Sequence, residues 1–428
     1  MKLLVKNVGK IDNAEIDIEG ITTLIGVNET GKSTISKSLY CILNSFCNMS
    51  YKILENKIRK VRRKLDMLLQ KIVFDENNKN ISRYTSRTTR YSRIIAGEIM
   101  SQYQQLPIDK KMNRNDIKTI MQNICDFNIQ IKELDVYIDN ILEEVNKKDI
   151  EYIDEIINRQ FLIEFNEQIN YLDKNTSAEI SLTEEEISIY AKFKENRVTG
   201  ASKLKTVQYN PIYIDTPYIL DYYGDYVFFN GEDEAHAAKL LSKFKEKITD
   251  NDNIEDLNES TQRLQKVKDI LNKIVNGNFN YDESGNITYE NKKTKSKLQL
   301  ANLATGLKTF VIIKKLIENG MINENTVLII DEPEVHLHPD WQLKLAEILV
   351  NLNKELNIKI LISTHSPYFL RAIQVYCAKY EVANKEKIYY IKNQSNGLSI
   401  SEEITGDTTE IFEQLTKPFV ELEEEIQS

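Results

Sequence analysis

The sequence predicts an α/β fold in which a sheet containing parallel strands is interrupted by a large helical insertion. Three observations predict it. A Gly-rich loop, GVNETGKST at 26–34, directly follows the apolar run 21–25. From residue 306 onward the apolar spacing switches repeatedly between helical and strand periods, which indicates parallel strands joined by crossover helices. Between about 50 and 200 the chain is polar, poor in Gly and Pro and periodic in Ile and Leu, as expected of helices.

Taken in order, residues 1–25 read as short strands turning at Gly9 and Gly20. Residues 51–204 read as an inserted helical arm. Pro211 and Pro217 bracket the strand-like IYID, and the aromatic YILDYYGDYVFFN that follows is also expected to be extended. Helices are expected at 232–249 and 254–276, and FNYDESGNITYEN reads as a hairpin turning at 284–286. A helix to about 319, a strand at 326–331, a helix at 340–356 and a strand at 358–364 complete the alternation. The expected division is 1–50, 51–204 and 205–428, with the first and last parts forming one head.

The 428 residues, 41% hydrophobic and 28% charged, suffice for two or three folded domains with a sizeable core. A net charge of -9 excludes a surface that is basic everywhere, so contact with DNA or RNA has to be regional. Cysteines at 41, 47, 125 and 377 form no CxxC pair, which favours reduced thiols over a disulfide scaffold or zinc ribbon. The first twenty residues lack the apolar core of a signal peptide, and no run reaches the roughly 18 apolar residues of a membrane span. A cytoplasmic protein with no membrane partner is expected.

Three segments carry chemistry. GVNETGKST fits G-x4-G-K-[ST]: its glycines let backbone N–H groups approach phosphate, Lys32 reaches the β and γ phosphates, and Ser33 can ligate Mg2+. Gly26, Asn28, Glu29, Thr30, Gly31, Lys32, Ser33 and Thr34 are therefore the expected ATP-binding residues. VLIIDEPEVHLHP sets four apolar residues before Asp331 and Glu332, so a buried strand delivers two carboxylates at its end. Asp331 is expected to hold Mg2+ and Glu332 to polarise the attacking water. KILISTHSPYFL is a second apolar strand ending at Thr364 and His365, where the imidazole could meet the γ phosphate or serve structure alone. HLHP directly follows the acidic motif and is expected to turn beside the nucleotide; a metal cluster of His336, His338 and His365 is the alternative.

Together, GxNxxGKST, DEPE-x-HLHP-x-WQ and STHSPYFL resemble the ABC-type P-loop ATPases of chromosome maintenance, DNA repair and phage defence. The resemblance is nearest to the ATPase part of overcoming-lysogenisation-defect (OLD) proteins and their stand-alone relatives, over about 1–48 and 295–375. It implies an ABC-type, SMC-like ATPase head that acts as a homodimer, with Glu332 as general base and His365 as switch histidine. It also implies a signature segment, here 303–308, in which Thr305 and Gly306 contact the nucleotide held by the opposite subunit. Ala304 stands where the family usually has serine, and no glutamine is assignable to its Q-loop. Nuclease-bearing members carry a Toprim domain of roughly a hundred residues after the switch histidine. Only 63 residues follow His365, without Asp-x-Asp. The expected role is therefore an ATPase that controls a separate effector protein in phage defence. A DNA-repair or chromosome-organising ATPase, or a nucleotide-locked scaffold with slow hydrolysis, are the alternatives.

Residues 51–93 hold thirteen Lys or Arg against four Asp or Glu. Arg83, Arg87, Arg90 and Arg93 recur at helical spacing and could share a face that neutralises DNA or RNA phosphates. A solvated helix, or one paired with acids around 184–186 or with an acidic partner, explains the same charges. The apolar spacing at 116–142 favours a compact helical arm over a long rod.

Overall fold

The first strands of the chain lie where apolar residues alternate. Along β1 (Lys2–Val8) and β2 (Ile11–Asp17), Leu3, Val5, Ile11, Ala14 and Ile16 are buried while Lys6, Asn13 and Glu15 face outward. In β3 (Ile21–Ile25) every residue is buried, as in a strand covered on both faces. The computed structural model describes residues 1–76, 81–107, 110–125, 134–170, 176–203, 205–222, 235–245, 263–281 and 287–427.

After β3 come α1 (Lys32–Phe46) and the helices α2 (Met49–Glu76), α3 (Ile81–Gln105), α4 (Arg114–Ile124), α5 (Leu134–Val145) and α6 (Ile150–Glu164). Three antiparallel strands follow, β4 (Ala178–Glu184), β5 (Ile187–Lys194) and β6 (Arg197–Ala201), and then β7 (Asn210–Ile214). Next are α7 (His236–Lys245), α8 (Gln265–Ile274), the hairpin β8 (Gly277–Tyr281) and β9 (Ile287–Asn291), and β10 (Lys297–Gln299). The last part runs α9 (Thr305–Glu318), β11 (Thr326–Asp331), α10 (Pro339–Leu356), β12 (Lys359–Thr364), α11 (Pro367–Lys379), β13 (Glu386–Asn393), β14 (Ser399–Glu403) and α12 (Thr409–Gln427).

An 11-stranded sheet runs in the order β6-β5-β4-β1-β2-β14-β13-β3-β12-β11-β7. From β13 to β7 every neighbouring pair is parallel, which is the α/β arrangement that the alternating pattern predicts. The C-terminal ends of these strands therefore lie along one edge, where open parallel sheets place their ligands. Isoleucine, leucine and valine from β11, β12, α9, α10 and α11 form the core beneath that edge.

The chain separates into two units: 1–47, 157–202 and 207–428 form one, and 48–156 with 203–206 the other. This corrects the expected arm of 51–204, because 178–201 are strands of the head sheet. Ile180, Leu182, Ile189, Ala191 and Phe193 are buried at alternate positions, and β4 pairs with β1, which lies far earlier in the sequence. Within 217–222 the chain is a 3-10 helix rather than extended, and the rest of the aromatic segment lies outside the described residues, as does the turn at 284–286. The expected helices at 232–249 and 254–276 are described only as α7 and α8.

The smaller unit is a helical bundle with its own core, in which Val61, Leu65, Ile95, Ile99, Ile117 and Ile138 meet. Its basic residues are largely paired at home. Lys57 is almost fully buried beside the rings of Tyr103 and Tyr152 and pairs with Asp149 at 2.7 Å. Lys60 pairs with Glu155 and Lys64 lies 3.2 Å from Glu144. The acids that answer α2 are thus those of 144–155, while Glu184 is engaged by Lys359 and Tyr209. Arg90 and Arg93 are exposed on α3, and the side chains of Arg83 and Arg87 lie outside the described residues.

Candidate functional site

The phosphate loop spans the gap between β3 and α1. Gly31 has φ 90°, which only glycine adopts without strain, and a Cβ on it would stand 2.6 Å from Ile11 Cδ1. At Gly26 a Cβ would stand 2.5 Å from the Ile391 carbonyl oxygen, so that position also excludes a side chain. Lys32 is buried and folds back, donating from Nζ to the carbonyls of Gly26 and Val27, both at 2.9 Å. Burial holds its ammonium below the usual lysine range, against the opposing pull of Glu332, Asp331 and Glu334. Thr30 is buried and its hydroxyl donates to the Val27 carbonyl, while Asn28 and Glu29 are exposed and Ser33 and Thr34 half-buried.

Strand register sets the other residues beside this loop. Ile25 is opposite Thr364, and Ser363 is opposite Asp331, so the loop, His365 and the acidic pair emerge side by side from β3, β12 and β11. A hydrogen bond between Ser36 and Ser363 at 2.7 Å ties the first turns of α1 to β12.

Asp331 is buried. Its Oδ2 accepts from the Tyr213 hydroxyl at 3.2 Å, and its Oδ1 has no hydrogen-bond partner. Burial and the adjoining Asp331 push the Tyr213 phenol well above its ordinary range, so it remains a donor. Glu332 turns away from the strand in the left-handed region, φ 46°, with its N–H bonded to the Ser363 carbonyl at 2.8 Å. A non-glycine residue held there stores strain of the kind that collects at functional sites. His365 Nδ1 lies 3.9 Å from Glu332 Oε1.

Residues 303–308, the expected signature, lead into α9. Ala304 is exposed, Thr305 half-buried and Gly306 buried, and the helix start has no side-chain cap. Lys308 bonds the Ala301 carbonyl and Asp221, within the same chain. Among the described residues no group of three or more His, Cys, Asp or Glu is placed to hold a metal, which removes the cluster of His336, His338 and His365. His338 instead accepts from Asp340 N as the cap of α10.

Two features were invisible to motif reasoning. Glu334, the second glutamate of DEPE, is buried with its Oε1 bonded to Thr364 and to the backbone of His365 and Ser366. His236 lies between Glu164, 2.7 Å from its Nδ1, and Asp215, 3.0 Å from its Nε2. Its ring packs 4.5 Å from that of Tyr213, the partner of Asp331. Burial alone would lower the His236 pKa, but the two carboxylates outweigh it and raise the value to about 9. Asp215, at the end of β7, also lines a small pocket with Thr216, Thr309, Asp331, Glu332 and His336.

A phosphate loop, a buried acidic strand end and a histidine at the next strand end define the class of P-loop ATPase heads. The family described as AAA ATPase domain matches residues 1–370, and the chain belongs to that family. The retron Vc95 probable ATPase of Vibrio cholerae serotype O1 biovar El Tor is 25% identical over 162 residues, covering 35% of this chain and 31% of that protein. The chain thus spans about a third of the length of the curated relative it matches. Among solved structures, the SMC head domain of Thermotoga maritima covers 95% of this chain and 98% of its own at 11% identity, with a TM-score of 0.38. An SmcHead bound to the C-winged helix domain of ScpA covers the same shares at 12% identity, with a TM-score of 0.42. Among the described residues no helix is long and apolar enough to cross a membrane.

Proposed function

We propose that the chain hydrolyses ATP with Mg2+ at a site shared between two copies, and that the resulting opening and closing controls a separate effector. The parallel register of β3, β12 and β11, whose ends lead into the loop, His365 and the acidic pair, supports this reading. The site fits both groups: the loop leaves no room for side chains at Gly26 and Gly31, and Asp331 keeps a buried oxygen without a partner. Ser33 and Asp331 would hold Mg2+, which when bound neutralises charge on the phosphates.

Lys32 leaves its two carbonyls to meet the β and γ phosphates, and the backbone N–H groups of 28–34 line the phosphates. Glu332 accepts a proton from the attacking water, and His365 contacts the γ phosphate or that water. Thr305 and Gly306 of the second copy complete the site, through the uncapped start of α9, whose N–H groups and dipole favour an anion. The resemblance to phage-defence ATPases and the retron ATPase relative support a bacterial defence setting. The exposed Arg90 and Arg93 leave a second reading, in which nucleic acid is the trigger or substrate of the machine.

The test is ATP turnover together with sedimentation in the presence of ATP. Glu332→Gln is expected to bind ATP, dimerise and stop turning over. A monomer at saturating ATP would refute the shared site.

A further inference from the structure

Hydrolysis as proposed uses the first glutamate of DEPE, Glu332, for water and leaves the second, Glu334, without a task. Yet Glu334 is the more deeply buried, its side chain 5% exposed against 40% for Glu332. Its Oε1 accepts from Thr364 Oγ1 at 2.6 Å, His365 N at 2.8 Å and Ser366 N at 3.1 Å, and stands 3.2 Å from His365 Nδ1. Neither its Oε2 nor His365 Nδ1 has a hydrogen-bond partner, so the 3.2 Å approach is close without being aligned as a bond. A carboxylate kept this dry with one oxygen unpartnered is costly, and a glutamine would supply the same acceptor without the charge. Packing alone therefore does not account for it.

We propose that Glu334 is the positioning residue for His365, fixing the 364–366 turn and selecting the ring form with its proton on Nδ1. A neutral imidazole has one N–H and one lone pair, and the acceptor beside Nδ1 decides which nitrogen holds the proton. Nε2 is then the ring atom available to the γ phosphate or its water. The other carboxylate near Nδ1, Glu332 Oε1, is 3.9 Å away and beyond hydrogen-bond reach, so Glu334 is the acceptor nearest to that nitrogen. This inference rests on the reading of Glu332 and His365 given above.

The ring form can be read without turnover. The chain has four histidines, so 15N-histidine NMR of the full chain, with His365→Ala to assign the signal, reports the tautomer directly. In the neutral ring the proton is expected on Nδ1 in the wild type, moving at least partly to Nε2 in Glu334→Ala. A wild-type ring with its proton on Nε2 overturns the proposal whatever the variants do. In turnover, Glu334→Ala should lower kcat about 10- to 100-fold, the scale of a misplaced reacting group, with KM changed less than about threefold. Glu334→Gln, which keeps the acceptor for the three donors, should fall between it and the wild type. On a His365→Ala background Glu334→Ala should cost nothing more. Unchanged kcat in Glu334→Ala, or an equal loss on both backgrounds, overturns the positioning role. If Glu332→Gln instead turned over normally, the assignment of the base would fail while the tautomer still reported on Glu334.

Discussion

Gly306 lies so close to the turn after β11 that a Cβ on it would stand 2.9 Å from the His336 carbonyl oxygen. The Leu337 Cδ2 and Trp341 Cε3 atoms would follow at 3.2 Å. The start of α9 and the segment behind the acidic pair are therefore packed as one piece within a single chain. A backbone oxygen cannot swing aside, so Gly306→Ala is expected to displace the turn and destabilise the fold by about 1–3 kcal/mol, as overpacking does. Thermal or urea unfolding measures it. An unchanged midpoint would show that the turn gives way without cost.

The phosphate loop and the base are expected to fail in different ways. Lys32→Ala removes a charge-assisted contact worth about 1.5–3 kcal/mol, so ATP affinity should fall about 10- to 100-fold. Glu332→Gln preserves shape but cannot take a proton, so affinity should hold while turnover falls about 100- to 10,000-fold. Calorimetric titration and phosphate release separate the two. Unchanged affinity in Lys32→Ala would remove the loop from the site.

The His236 cluster makes stability depend on pH. Both ring nitrogens face carboxylates, so the folded state favours the charged ring, with a pKa of about 9 against 6.5 unfolded. A raised folded value gives stability that is complete below pH 6.5 and is lost as the pH rises toward 9. The difference in melting temperature between wild type and His236→Gln should therefore shrink steadily over that interval. A constant difference would mean that the ring is not charged in the fold.

How much of this was legible depends on how far apart the partners lie. The phosphate loop and the acidic strand end were readable because apolar strand, loop and polar residues are adjacent in sequence. The parallel head followed from runs such as VLII and KILIS, which suit strands buried on both faces. β4 to β6 were missed because their alternation sits inside a long helix-like, polar region, and β4 pairs with β1, remote in the chain. The lysines of α2 pointed toward phosphate until the fold brought 144–155 against them. Glu334 gave no signal, since its donors come thirty residues later from another strand end.

The nucleic-acid reading now rests on α3. Replacing Arg83, Arg87, Arg90 and Arg93 with Glu is expected to weaken DNA or RNA binding and flatten its salt dependence, since each phosphate contact contributes about 0.7–0.9 to the slope. ATP affinity should not change. Fluorescence anisotropy across a salt series decides it, and an unaltered slope would return this face to solvent.

Whether two chains share one site needs a residue that faces outward, and Gly306 is unsuitable because any side chain there strains its own subunit. Ala304 is the better probe. It is exposed directly before α9, at an uncapped helix start, so a glutamate there would repel an anion approaching from a second copy without disturbing the local packing. Ala304→Glu is expected to retain ATP binding and its melting temperature while losing most turnover. Mixed with Lys32→Ala, which lacks a working loop but has an intact signature, it should regain activity, because a mixed dimer contains one site with both parts sound. Recovery should peak near equal proportions, once subunit exchange is established independently. Normal turnover by Ala304→Glu alone would show that each chain completes its own site. If Ala304→Glu is inactive and the mixture gives no recovery at any ratio, then either both sites must act together or the signature serves only its own chain. ATP-dependent dimerisation of Ala304→Glu separates these, since it should be lost only if residue 304 faces the partner's nucleotide.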